Sequence, residues 1–257
     1  MTSSCAWVRF QSAGHTGFGL LQDGRIHVHR GDLFDQPVDS GERLAVDAVQ
    51  LLMPTQPSKV LALWNNFGEL SAKLGLSKPP EPLYLIKPPN TYLDPGRVIP
   101  RPPGDGKLAF EGELAIVIGR RATRVPLADA MTHVFGYTCA NDVTLGEIIH
   151  RDPTFQQWVR AKGGDGFCPF GPAIVSGLDP RTLRVRTRLD GQLRQDYPIS
   201  DMHFSVAELV SLISHDMTLE PGDMILCGTS VGVGSMKAGS RVSVEIDGIG
   251  SLDNTVA

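Results

Sequence analysis

Residues 110–119 read Phe-Glu-Gly-Glu-Leu-Ala-Ile-Val-Ile-Gly, and this run constrains the chain more than any other. Leu114 to Val117 lead into Ile118 and a closing glycine, the pattern of a buried strand. Side chains two apart on a strand share a face. Glu111 and Glu113 therefore aim two carboxylates at one spot beside an apolar segment. Like charges held that close cost several kcal/mol unless something neutralises them. A divalent cation that prefers oxygen ligands, Mg²⁺ or Mn²⁺, is the simplest remedy. The competing reading is that both glutamates line a solvated strand face.

A second buried strand, Phe135 to Ala140, ends at Asn141-Asp142. A side chain at a strand end can turn into a pocket, which makes Asp142 the natural third ligand. Three carboxylates without histidine or cysteine select Mg²⁺ or Mn²⁺ over zinc or copper. An octahedral ion with three protein oxygens keeps open positions for a chelating 2-oxo acid or β-diketone. Such an ion polarises a carbonyl and stabilises an enolate.

The bulk composition excludes several classes. The 257 residues are 41% hydrophobic and 20% charged, ordinary values for a globular chain with ample core. The net charge of −4, without blocks of like charge, points away from nucleic acid and from membrane surfaces. No apolar stretch reaches the length of a membrane span. Met1 to Trp7 lacks the basic-then-apolar order of a secretory leader. Cys5, Cys139, Cys168 and Cys227 are scattered, which fits a reducing, cytoplasmic setting rather than a disulfide scaffold or zinc ribbon.

With 28 glycines and 19 prolines, turns are frequent and a mainly β architecture is expected. Residues 6–34 alternate β-like runs with turn signals, including a hairpin at Gln22-Asp23-Gly24-Arg25. A small N-terminal β domain is expected over residues 1–56, with the boundary in the proline-broken Met53 to Ser58. A catalytic domain then spans residues 57–257. Lys59 to Leu63 reads as a buried strand. Asn66 to Leu74 has helical spacing at Phe67, Leu70 and Leu74, and Gly75 is its C-cap. Residues 87–106 read as one long loop, functional or lid-like. Ser205 and Glu208 form a capping box for a helix that stops near Glu220-Pro221. The last forty residues hold two strands, Met224 to Cys227 and Arg241 to Ile246, around the turn Gly228 to Gly234.

Other side chains carry chemistry or are ordinary surface. Lys162, in a glycine-rich loop, either holds an oxyanion beside the metal or is a solvated lysine. Thr229 offers a hydroxyl and backbone N–H groups to a carboxylate, or belongs to a plain glycine turn. Lys87 is a pocket residue or a strand-end charge. The seven histidines show no metal-ligand spacing.

Five segments together resemble the fumarylacetoacetate hydrolase family: Leu85 to Pro89, Phe110 to Gly119, Gly136 to Val143, Lys162 to Pro172 and Gly228 to Gly234. They occur in the family's order. The resemblance implies a mixed β-roll core with a small N-terminal β domain, assembled as a homodimer. It implies Mg²⁺ or Mn²⁺ held by Glu111, Glu113 and Asp142, with Lys162 stabilising the oxyanion or enolate. Thr229, with Lys87, Gly228 and Tyr137, would bind the substrate, a small 2-oxo acid or diketone. Members hydrolyse C–C bonds in acylpyruvates and β-diketo acids, decarboxylate oxaloacetate or isomerise unsaturated 2-oxo acids.

Two departures matter. Hydrolytic members carry a histidine and a glutamate three residues apart on a mobile lid helix, but Leu63 to Ser71 contains no histidine. Glu69 is the candidate replacement base, its pKa raised by burial in a closed lid. Where many members have arginine and glutamine after the aspartate, this chain has Gly146 and Ile149, which suggests a larger or less anionic substrate. The leading expectation is metal-dependent C–C hydrolysis. The alternative is a metal-dependent isomerase, tautomerase or decarboxylase, which needs no activated water. A metal-holding but catalytically inert binding protein is a third possibility.

Overall fold

The structure is a computed structural model that describes residues 4–104 and 106–257. The leader reading rests partly on residues 1–3, and the proline-rich loop reading partly on Asp105. Both lie outside the described residues.

The N-terminal segment is β apart from a 3₁₀ turn at Val46–Ala48: β1 (Cys5–Ser12), β2 (His15–Gln22), β3 (Arg25–Asp32), β4 (Asp35–Ala45) and β5 (Gln50–Leu52). Next come β6 (Val60–Trp64), α1 (Gly68–Leu74), β7 (Leu83–Lys87) and the short β8 (Tyr92–Leu93) and β9 (Val98–Ile99). The centre holds β10 (Leu108–Phe110), β11 (Gly112–Ile118), β12 (Val134–Asn141) and β13 (Thr144–Leu145). Two short helices, α2 (Gly146–Ile149) and α3 (Trp158–Lys162), lead into β14 (Cys168–Ser176). Then follow β15 (Arg184–Leu189), β16 (Gln192–Pro198) and α4 (Val206–Asp216). β17 (Met224–Leu226), β18 (Gly234–Met236), β19 (Arg241–Ile246) and β20 (Gly250–Val256) complete the chain. The architecture is mainly β, as expected.

The largest sheet runs β4-β3-β2-β1-β14-β12-β11-β17-β6-β7, with β5 and β8 paired to β1 and β14. The N-terminal strands thus extend the same sheet that carries β11, joined through β1 and β14. A five-stranded sheet, β16-β15-β19-β20-β9, and a three-stranded one, β13-β10-β18, fold over it. β11 is buried along its whole length, which explains its unbroken apolar run. Leu114, Ile116 and Ile118 point into one core with Tyr137, Tyr197 and the inner face of α4. Ala115 and Val117 point to the other, with Val60, Ala62 and Ala140. The hairpin at Asp23-Gly24 has positive φ at both residues (50° and 72°), the backbone that an Asp-Gly pair tolerates. The Ser205/Glu208 capping box is present in both directions. Among the described residues no helix is long and apolar enough to cross a membrane.

Four expectations are corrected. The helix read from Asn66 begins at Gly68, and only Ser71 is buried on it, so Leu74 does not anchor an inner face. Gly75 does close it in the left-handed conformation. The 87–106 segment is not one free loop: β8 pairs parallel with β14, and β9 with β20. Strands of two residues are too short for a periodic signal. The helix capped by Ser205 ends at Asp216, short of Glu220. The C-terminal region holds four strands, because β18 and β20 are rich in glycine and polar residues and read as turn.

Candidate metal centre

Glu111, Glu113 and Asp142 converge, each offering a carboxylate oxygen within 4.8 Å of the others. Glu113 lies on β11 opposite Ala140, on the face of Ala115 and Val117. Glu111 sits just before the strand and is fastened to the end of β12. Its N–H donates to Asn141 Oδ1 at 2.9 Å, and its carbonyl accepts from the Asp142 N–H at 2.9 Å. Glu113 Oε2 accepts from the Gly228 N–H at 2.7 Å, whereas Glu113 Oε1 is buried without any partner. An all-oxygen donor set with one orphaned buried oxygen fits a hard divalent ion.

Two buried lysines balance the carboxylates. Lys87 Nζ donates to Asp142 Oδ1 at 2.5 Å and to Phe167 O at 2.9 Å. Lys162 Nζ donates to Asp142 Oδ2 at 2.5 Å, Thr144 Oγ1 at 2.7 Å and Glu111 Oε2 at 2.8 Å. Those three bonds use every hydrogen of the ammonium. Burial, reinforced by Asp142 and Glu111, pushes the Glu113 carboxyl well above its ordinary range, against the pull of Lys162 and the Gly228 N–H. Burial acts on Asp142 in the same direction, but attraction and hydrogen bonds from Lys162 and Lys87 outweigh it and hold that carboxyl below its ordinary value. Burial opposes the Lys162 charge, yet Asp142 and Glu111 raise the ammonium above its usual value. A proton on Glu113 leaves two anions facing two cations. A divalent ion would replace that proton and neutralise the third carboxylate.

The other sequence-derived candidates separate. Lys162 is the last residue of α3 rather than a loop residue, and it is buried rather than solvated. Lys87, at the end of β7, is fully buried against the cluster. Gly228 meets Glu113 through its backbone, and Thr229 is half-buried beside it. Tyr137 does not join them. It pairs with Ile116 on β11, so its ring enters the core on the opposite face from Glu113. Glu69 is exposed on α1, not buried under a closed lid as expected. Its backbone N–H, not its carboxylate, is engaged, donating to Asp201 Oδ2 at 3.0 Å. Ile149 is buried and Gly146 is open at the start of α2.

Sequence reasoning missed Asn141, Thr144, Gln195 and Tyr197. Asn141 and Thr144 flank Asp142 and share its strand end. Gln195 and Tyr197 alternate with exposed residues on β16, and a buried glutamine there looks like any surface polar residue. Trp158 lies four residues before Lys162 and so shares its helix face. Its ring meets Trp64, at the end of β6, with centroids 5.4 Å apart.

Comparison with known proteins shows similarity in sequence and in fold. The family description "Fumarylacetoacetate (FAA) hydrolase C-terminal" matches residues 59–257, and "Rv2993c-like, N-terminal" matches residues 6–54. A solved 2-hydroxyhepta-2,4-diene-1,7-dioate isomerase from Mycobacterium marinum superposes with a TM-score of 0.90 at 36% identity, covering 98% of each chain. Oxaloacetate tautomerase YisK from Bacillus subtilis is 37% identical over 215 residues, 78% of this chain and 70% of its own. Fumarylpyruvate hydrolase from Pseudomonas aeruginosa, solved in complex with Mn²⁺ and pyruvate, gives a TM-score of 0.73 at 29% identity. That match covers 81% of this chain and 91% of the other.

Proposed function

Because the chain belongs to the fumarylacetoacetate hydrolase family, we propose that it is an enzyme of small 2-oxo acids, a divalent-metal-dependent isomerase, tautomerase or decarboxylase. The observation that carries this reading is the buried Glu111–Glu113–Asp142 cluster braced by Lys162, beside an α1 segment with no histidine. Mg²⁺ or Mn²⁺ held by those three carboxylates would polarise the 2-oxo carbonyl and stabilise the enolate derived from it. Lys162 turns toward a substrate oxygen the N–H that it otherwise gives Glu111. Thr229 donates its hydroxyl to the substrate carboxylate. The half-buried rings of Trp64 and Trp158 offer flat apolar surface to an unsaturated tail. Such chemistry moves a proton, or releases CO₂, next to the carbonyl and requires no activated water. The isomerase and tautomerase likenesses support it. The protein acts as a homodimer in this reading, which sedimentation at micromolar concentration tests.

Hydrolysis of a C–C bond in an acylpyruvate or β-diketo acid is the second reading, favoured by the likeness to fumarylpyruvate hydrolase, with Glu69 as the base. One experiment separates the two. Unsaturated and β-oxo 2-oxo acids are incubated with protein and Mg²⁺ in D₂O or in ¹⁸O-water. The first reading expects deuterium at the carbon next to the carbonyl, an unchanged skeleton or CO₂. Label from ¹⁸O-water in a newly formed carboxylate establishes hydrolysis instead.

A further inference from the structure

Gln195 stands on β16, in a different sheet from the strands that carry the carboxylates, and it is almost completely buried. Its amide nevertheless ties both sides of the site together. Oε1 accepts from the N–H of Gly112, the residue between Glu111 and Glu113, at 3.0 Å. Nε2 donates to Thr229 Oγ1 at 2.8 Å and Ser230 O at 3.1 Å, with Val231 O at 3.4 Å. A backbone N–H only donates and a carbonyl only accepts, so these partners fix which way the amide points.

That orientation dictates the polarity of the Thr229 hydroxyl. Its oxygen already accepts from Gln195, so its own proton must go to another acceptor. In this structure the acceptor is Gly112 O at 3.1 Å. The same carbonyl also accepts from the Tyr197 hydroxyl at 2.5 Å. When Thr229 turns its proton to a ligand, Gly112 O keeps Tyr197 and is not left unpaired. The swing therefore avoids the penalty of an orphaned buried carbonyl. Gln195 and Tyr197, two apart on one strand, hold both the N–H and the C=O of Gly112.

We infer that Gln195 is a positioning residue that makes Thr229 an obligate hydrogen donor to the carboxylate of a 2-oxo acid. The inference rests on the proposed reading of this site, and it selects an anionic acceptor over a group that must itself donate.

The test is calorimetric titration of pyruvate into manganese-loaded protein, for wild type, Gln195→Met, Gln195→Glu, Thr229→Val and the Gln195→Met/Thr229→Val pair. Gln195→Met and Thr229→Val should each weaken pyruvate about tenfold, the loss of one hydrogen bond to a charged group. In the Thr229→Val background, Gln195→Met should add less than about twofold, because the glutamine acts through that hydroxyl. Gln195→Glu should weaken pyruvate more than Gln195→Met does, since its second carboxylate oxygen would take the Thr229 proton away from the ligand. Manganese affinity should stay within about threefold for Gln195→Met and Thr229→Val, as neither side chain bonds a carboxylate oxygen of Glu111, Glu113 or Asp142. If Gln195→Met does not fold, the isosteric Gln195→Glu carries the same cycle. Equal losses in both backgrounds, or a parallel loss of manganese affinity, overturn the inference. Failure of wild-type protein to bind pyruvate overturns the 2-oxo acid reading itself, and the inference with it.

Discussion

Gly112 lies so close to Thr187 that a methyl group on the glycine would stand 2.0 Å from the threonine Oγ1. This contact between β11 and β15 explains why glycine separates the two glutamates: the five-stranded sheet presses directly on the segment that holds the ligands. Gly112→Ala forces the segment outward, moving Glu111 and Glu113 with it. A loss of about 3 kcal/mol is expected, at the upper end for overpacking. Urea denaturation would register it, and metal affinity should fall in parallel. Thr187→Ser in the same background retains the obstructing oxygen and should not restore stability, whereas Thr187→Ala should restore part of it.

Lys87→Met removes one of two cations from a buried cluster and strips Asp142 Oδ1 and Phe167 O of a donor. Breaking a buried pair from one side costs about 3–5 kcal/mol. The expected outcome is a markedly lower urea midpoint at neutral pH. That deficit should shrink at acidic pH as Asp142 takes up a proton. A midpoint within experimental error of wild type would mean that the lysine charge is not paired in solution.

Metal-free protein should show two opposed pH dependences. Glu113 titrates above its ordinary value of 4.5 in the folded chain, so the folded state keeps a proton that the unfolded chain loses. That contribution is fully present below the unfolded value and is lost as pH rises through the folded one. Asp142 titrates below its ordinary value of 3.8, so its contribution is present above that value and is lost as pH falls through the folded one. Thermal melts from acid to mildly alkaline pH should therefore peak in between. Glu113→Gln should flatten the high-pH side, and saturating Mg²⁺ should do the same for wild type. A wild-type melting profile that keeps rising with pH would contradict this assignment.

Much of this was legible in the sequence, and the reasons are physical. The apolar run Leu114 to Ile118 and the mostly apolar, aromatic-rich Phe135 to Ala140 are short and bounded by glycine or polar residues, the pattern of buried strands, so the ends that carry Glu113 and Asp142 followed from them. Ser205 with Glu208 announced its helix because both capping bonds are local. β8, β9 and β18 were invisible because two- and three-residue strands owe their existence to distant partners. Composition left Lys162 open between a site residue and a solvated lysine, because burial of an ammonium depends on carboxylates 20 and 51 residues away; only the family resemblance placed it at the site. Tyr137 failed in the opposite way. It lies within a segment shared with the family, but strand alternation turns its ring from the site. Gln195 left no signal at all, since its partners lie on two distant segments, at Gly112 and at Thr229 to Val231.

The central claim is that Glu111, Glu113 and Asp142 together hold one divalent ion. Titration of Mn²⁺ into metal-free protein, followed by electron paramagnetic resonance of the free ion, tests it most directly. The account predicts one tight site per chain for wild type, and an affinity at least about a hundredfold weaker for Glu113→Gln, which keeps the shape but removes a ligand charge. No stoichiometric binding by wild type, or equal binding by the variant, would contradict it.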